Sequence, residues 1–265
     1  MILNDLCEMV PKTSEALVQG DPHFETWGAG WFEYKGQCDM VLLDAPAFSG
    51  GKGITVHIRT KVHEDYSNVN SVAIKIGEDV LEVNALGDYY LNGVQEDKAI
   101  KVGGYSFSMT SGGGTAWNKN FHLQIGKDEF ILIQSFVQLL GIKFVKASYA
   151  NYHDATGMLG SYGSGHMFAR DGKTVVEDPL KFAQEWQVTG TDDKLFRVMD
   201  AYPQAPQQCI LPVEKPAGRR RMGESIALDT AQKACASKSS EFTAKKCVDL
   251  VIATRDVRMA GAGFE

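Results

Sequence analysis

Between residues 24 and 149 the chain is written in short apolar runs separated by turn signals. Residues 54–62, Ile-Thr-Val-His-Ile-Arg-Thr-Lys-Val, alternate apolar and polar side chains, the period of a strand with one face in a core. Residues 72–76 and 80–83 flank Gly77-Glu78-Asp79, and residues 121–125 and 129–133 flank Gly126-Lys127-Asp128, so each pair predicts a hairpin. Asn92-Gly93 is a further tight-turn signal. Residues 32–36, the apolar run 40–43 and residues 138–148 complete the predicted strands. Ahead of them, residues 14–18 carry a helix-like patch within a lead-in segment, 1–19.

The texture changes after Gly157. Residues 203–222 are rich in Pro and Gln at first and hold Arg219-Arg220-Arg221, which reads as a linker with a solvated or protease-readable basic run. Beyond it, Ile226, Ala231, Ala234 and Cys235 fall near one helical face, and residues 242–253 form a second helical candidate. The pattern therefore predicts a mainly β domain over 20–202, a linker over 203–222 and a small α-helical appendage over 223–265. The 265 residues suit such a plan: one large domain with a minor addition.

Charge and composition narrow the function. A formal net charge of −6, from 33 acidic and 27 basic residues, does not provide the dense basic surface of a sequence-independent nucleic-acid binder. No apolar stretch is long enough for a spanning helix; Gln134, Ser135, Gln138 and Lys143 interrupt the best candidate. The first twenty residues lack the basic start and apolar run of a secretory signal, so the sequence reads as intracellular or as a fragment of a longer precursor. Gly103, Gly104 and Gly112-Gly113-Gly114 form a Gly-rich stretch, but no helix-forming segment follows it as a phosphate cradle requires.

One segment is distinctive: Gly20-Asp21-Pro22-His23-Phe24-Glu25-Thr26-Trp27, continuing as Phe32-x-Tyr34-x-Gly36-x-Cys38-Asp39-x-Val41-Leu42. It resembles the opening of a von Willebrand factor type D module. Gly157-Met158-Leu159-Gly160-Ser161-Tyr162 is similar to that family's later Gly-Leu-Cys-Gly-Asn-Phe turn. Trp186, Val188 and Cys209 fall where the family has a late Trp and its partner cysteine, and Cys235 to Leu250 resembles a reduced form of the cysteine-rich helical region that follows it. The resemblance implies an antiparallel β-sandwich with a small C-terminal helical appendage. It also implies an extracellular or secreted module of a longer chain, with a non-catalytic structural or adhesive role and with other protein chains or the extracellular matrix as partners.

It implies, too, that Cys38 pairs with Cys209. Cys235 and Cys247, on the two helical candidates, can staple them together. The family's other pair is missing at both ends, with Leu159 at one of them. Cys7 is left over, as a free thiol or an interchain partner. The competing reading is a cytosolic chain with five reduced thiols; no Cys-x-x-Cys spacing supports zinc.

Three chemistries follow. The carboxyl of Asp21 can attack its own carbonyl and release Pro22, with His23 placed to influence proton transfer, as in family members cut at this bond; the plainer reading makes Asp21 a turn cap and His23 a packed residue. The family's calcium needs hard oxygen ligands, yet Gly28 stands at its first carboxylate position and residues 161–165 carry none. Asp171 is the acid left nearby, so the expectation is no cofactor. Catalysis on a separate substrate would have to use His23, His57, His63, His122, His153 or His166, none of which sits in a recognised metal or hydrolase motif.

Overall fold

The computed structural model describes residues 13–20, 22–63, 66–111, 118–137, 139–198, 209–211, 228–237, 241–254 and 256–261. Their architecture is mainly β, two antiparallel sheets packed face to face. The chain enters through β1 (Ala16–Gln19), β2 (His23–Glu25) and β3 (Trp31–Glu33). It crosses to the second sheet with β4 (Asp39–Ala45), β5 (Ile54–Val62), β6 (Ser67–Ile76), β7 (Asp79–Asn84), β8 (Tyr89–Leu91) and β9 (Val94–Glu96). It then returns with β10 (Ile100–Val102), β11 (Tyr105–Ser111), β12 (Asn118–Gln124), β13 (Phe130–Phe136) and β14 (Leu139–Val145). The first sheet has eight strands in the order β10-β11-β12-β13-β14-β1-β2-β3; the second has six, β4 to β9 in sequence order.

Side-chain alternation on the strands explains the layering. Phe24, Phe107, Phe121, Ile131, Ile133 and Phe144 point inward from the large sheet, and Met40, Val56, Ile58, Val72, Ile74 and Leu81 from the small one. Each of these is fully buried, so the core is one continuous apolar layer between the sheets. Asn92 and Gly93 both take positive φ, 52° and 87°, which lets β8 turn directly into β9 as the Asn-Gly pair predicts. The helix-like patch at residues 14–18 is a correction: Ala16, Leu17 and Val18 lie in β1, paired to β14 on one side and β2 on the other. A three-residue apolar run with partners on both sides is decided by sheet burial rather than by its helical spacing. The large sheet thus includes part of the segment assigned above to the lead-in.

Helices are few. Short turns at Phe48–Gly51 (α1) and Tyr149–Tyr152 (α2) close one end of the sandwich. Pro179–Glu185 (α3) starts on Asp178, whose carboxylate accepts the N–H groups of Leu180 and Lys181. The appendage consists of Leu228–Ala234 (α4), Glu241–Thr254 (α5) and a 3₁₀ turn at Val257–Gly261. Ala231, Cys235, Cys247, Val251 and Met259 form its small core. That core closes on Phe136 and Leu139, at the hairpin end joining β13 and β14. Among the described residues no helix is long and apolar enough to cross a membrane.

Candidate functional site

The distinctive opening segment folds as a hairpin. Thr26 turns the chain between β2 and β3, its N–H donating to the Gly30 carbonyl at 2.9 Å. Phe24 and Phe32 stack with centroids 4.9 Å apart, and Phe32 meets Phe182 edge-on. Trp27 is fully buried, edge-on to Phe144 and Tyr162. Its backbone N–H donates to the Leu159 carbonyl at 3.1 Å, so the opening segment and the 157–162 turn meet in space. That turn is held against β4: Met158 N–H donates to the Val41 carbonyl and Leu159 N–H to that of Leu42. Gly157 has φ of 120° and a Cβ there would strike the Leu42 carbonyl, so two constraints demand glycine.

The corner holds few side-chain carboxylates. A Cβ at Gly28 would strike the Gly165 carbonyl, so the backbone leaves no room for a side chain there. Asp171, the remaining acid, is spent on its own turn. Its Oδ1 accepts the N–H groups of Lys173 and Thr174, each at 2.8 Å, and its Oδ2 accepts the Thr174 hydroxyl at 2.6 Å. Those bonds, the hydroxyl's first, hold its carboxyl down to about 2. No cluster of three or more His, Cys, Asp or Glu side chains suited to a metal occurs among the described residues.

Around the Asp21-Pro22 bond, Asp21 lies outside the described residues. Pro22 is buried and its carbonyl accepts the Tyr34 N–H at 3.2 Å. His23 is 6% exposed, with Nε2 lying 2.9 Å from Glu33 Oε1 across the β2–β3 ladder. The His23 hydrogen bond, its charge and the nearby Lys35 outweigh desolvation and hold the Glu33 carboxyl down to about 2. His23 is therefore engaged as a cross-strand partner. Cys7, Gly112-Gly113-Gly114 and Arg219-Arg220-Arg221 also fall outside the described residues.

Two disulfides are present, Cys38–Cys209 and Cys235–Cys247. The first anchors residues 209–211 beside the start of β4, where Gln37 and Ile210 exchange N–H···O bonds of 2.7 and 3.2 Å. Cys38 is fully buried, with Tyr34 Oη 3.8 Å from its sulfur, and desolvation pushes the Tyr34 phenol up to about 12. The second joins α4 to α5 inside the appendage core.

The polar strip on the outer face of the six-stranded sheet is the feature that sequence reasoning missed. Strand register sets Val41, His57, Ala73, Glu82 and Tyr90 in one row across β4 to β8, with Asp39, Arg59 and Ser71 in the next. Outward positions of a sandwich normally meet water, yet His57, Arg59 and Glu82 are 2%, 6% and 1% exposed. Residues 189–198 lie over them as an irregular strap. Leu195 and Phe196 pack on Ala73, Val80 and Tyr90. Arg59 makes a two-pronged bond to Asp39, 2.7 and 2.8 Å, with its guanidinium 4.5 Å from the Phe196 ring centroid. Glu82 accepts the N–H groups of Arg197 and Val198. Lys75 reaches Asp193 at 2.5 Å. Arg170, over the Trp186 ring, donates to the Glu185 and Gln187 carbonyls and to both oxygens of Asp192.

The histidines do not converge. His63 pairs with Asn68, His122 stacks on Phe130, and His153 sits beside Tyr149. His166 contacts Phe168, and His57 lies beneath the strap. No family model matches the chain, and no curated protein matches it.

Proposed function

We propose that this chain is a cysteine-poor relative of the von Willebrand factor type D module, acting as a non-catalytic structural or adhesive unit of an extracellular protein. The pair of disulfides carries the reading. Bridges of this kind form and persist in oxidising compartments, and Cys38–Cys209 is the pair the family resemblance implies. Two further features support it. The opening segment packs on the 157–162 turn, as two parts of one corner would, and the scattered histidines suit structural roles better than a shared reaction. The partners are other protein chains or matrix. The departures from the family at Gly28 and residues 161–165 point to a module that works without the usual calcium.

The test is one non-reduced mass spectrum of the full chain, taken after blocking free thiols and a brief hold at mildly acidic pH. One blocked thiol and a full-length mass support the reading. Five blocked thiols overturn the extracellular assignment. A mass matching residues 22–265 replaces it with the self-processing alternative, in which the Asp21-Pro22 bond breaks.

A further inference from the structure

We propose that residues 189–198 are a detachable strap that lets go of the six-stranded sheet in mild acid while Cys38–Cys209 keeps it tethered. The geometry carries this. The strap has no strand or helix of its own; apart from the packing of Leu195 and Phe196, its hold on the sheet comes from Glu82, Arg59 and Lys75. Its start is fixed by β-type bonds between Val188 and Asp39 and between Val41 and Trp186. The chain is fixed again at Cys209, which is bridged to Cys38 just before β4 of the same sheet. A segment held at both ends, and clamped between them by two apolar side chains and a few polar contacts, can lift without the sandwich unfolding.

His57 lies at the centre of this arrangement, in the same cross-strand row as Glu82 with only Ala73 between them. The charged groups around it come from every element nearby: Asp39 on β4, Arg59 on its own strand, Lys75 on β6, Glu82 on β7, Arg170 on the 163–176 loop, and Asp192 and Asp193 on the strap. Burial pushes the His57 imidazole down from its ordinary 6.5 to about 4; Asp192 and Asp193 oppose that shift, and Arg170 and Lys75 add to it. The closed strap therefore excludes a proton that the open one accepts. A group depressed on closure supports the closed state above pH 6.5, and that support is lost as pH falls from 6.5 towards 4. Opening uncovers Ala73, Val80 and Tyr90 together with the buried charges, a surface the protein otherwise keeps from solvent.

Hydrogen exchange on the full chain with its disulfides intact tests the proposal, at pH 7.5 and 5.0 and corrected for intrinsic exchange. Peptides covering 192–198 are compared with peptides from β13. The strap's protection falls by up to about thirtyfold, the ratio set by a group moving between about 4 and 6.5, while β13 is unchanged. His57→Gln flattens the strap's response. Equal strap protection at both pH values overturns the proposal. So does a drop shared by β13, or a drop that survives in His57→Gln. Should the variant not fold, an NMR titration of the His57 ring in the unaltered chain decides instead. A midpoint coinciding with the loss of strap protection upholds the proposal, and a separate midpoint overturns it.

Discussion

The two sheets of this sandwich cover their outer faces by opposite means. The six-stranded sheet is roofed by residues 189–198, which pack Leu195 and Phe196 on Ala73, Val80 and Tyr90 and lie over the buried His57, Arg59 and Glu82. The eight-stranded sheet is covered at the β13–β14 end by a helical pair that meets it through Phe136 and Leu139 and is locked by its own disulfide. Apolar contacts are nearly indifferent to pH and to small errors of geometry. A roof that rests in part on buried charges fails sharply when one partner is lost, because the other is left unpaired in a low-dielectric site. The first cover is thus conditional and the second permanent.

The largest expected effect separates the two bridges. Replacing Cys38 and Cys209 together by Ala frees a loop of 171 residues and costs about 5 kcal/mol in the chain-entropy model, seen as a large drop in the sandwich Tm. Replacing Cys235 and Cys247 frees only 12 residues and costs about 3 kcal/mol, confined to the appendage. Exchange protection of α5 should fall while the sandwich melts as before. If both pairs lower the sandwich Tm equally, the covers are not independent.

Breaking each cover directly comes next. Arg59→Met leaves Asp39 without its partner and should cost about 4 kcal/mol, with exchange at Arg197 and Val198 accelerating most. Phe136→Ala should cost about 3 kcal/mol and release α5 without touching the strap. Denaturant midpoints at two pH values sharpen the contrast: the Phe136→Ala cost should be the same at both.

Whether strands can be predicted and whether their outer faces can be are separate questions, and residues 54–62 show why. Their alternation marks a strand correctly, and it equally marks His57 and Arg59 as facing outward. Nothing local reveals that residues from 130 positions later cover them, because burial by a strap is a non-local event. The Cys38–Cys209 pairing was open to reading only through the family resemblance, since spacing alone leaves many pairings. The corner at Trp27 and Leu159 was legible as two motifs but not as one contact. Residues 14–18 misled for the opposite reason: a run that short fits either period, and pairing on both sides decided it.

The smallest effect belongs to the exposed side of the comparison. Glu33 is depressed from 4.5 to about 2, so its pair with His23 supports the fold above pH 4.5 and that support is lost as pH falls from 4.5 towards 2. With the Glu33 side chain 36% exposed, water screens the pair to under about 1 kcal/mol. His23→Gln should shift the urea midpoint slightly at pH 6 and by much less at pH 2.

The Cys38–Cys209 bridge also decides how the molecule would carry mechanical load. Tension applied along the chain crosses at the bridge and bypasses the chain between positions 171 apart, from β4 through β14 and the strap. At about 3.4 Å per extended residue, roughly 580 Å of chain is withheld from stretching. What remains exposed to pulling from the N-terminal side is β1, β2 and β3, the last three strands at one margin of the large sheet, which can peel from β14 in sequence. Force would thus be spent unzipping a short hairpin and drawing Phe24 and Trp27 out of the core, while the strands inside the bridge stay closed.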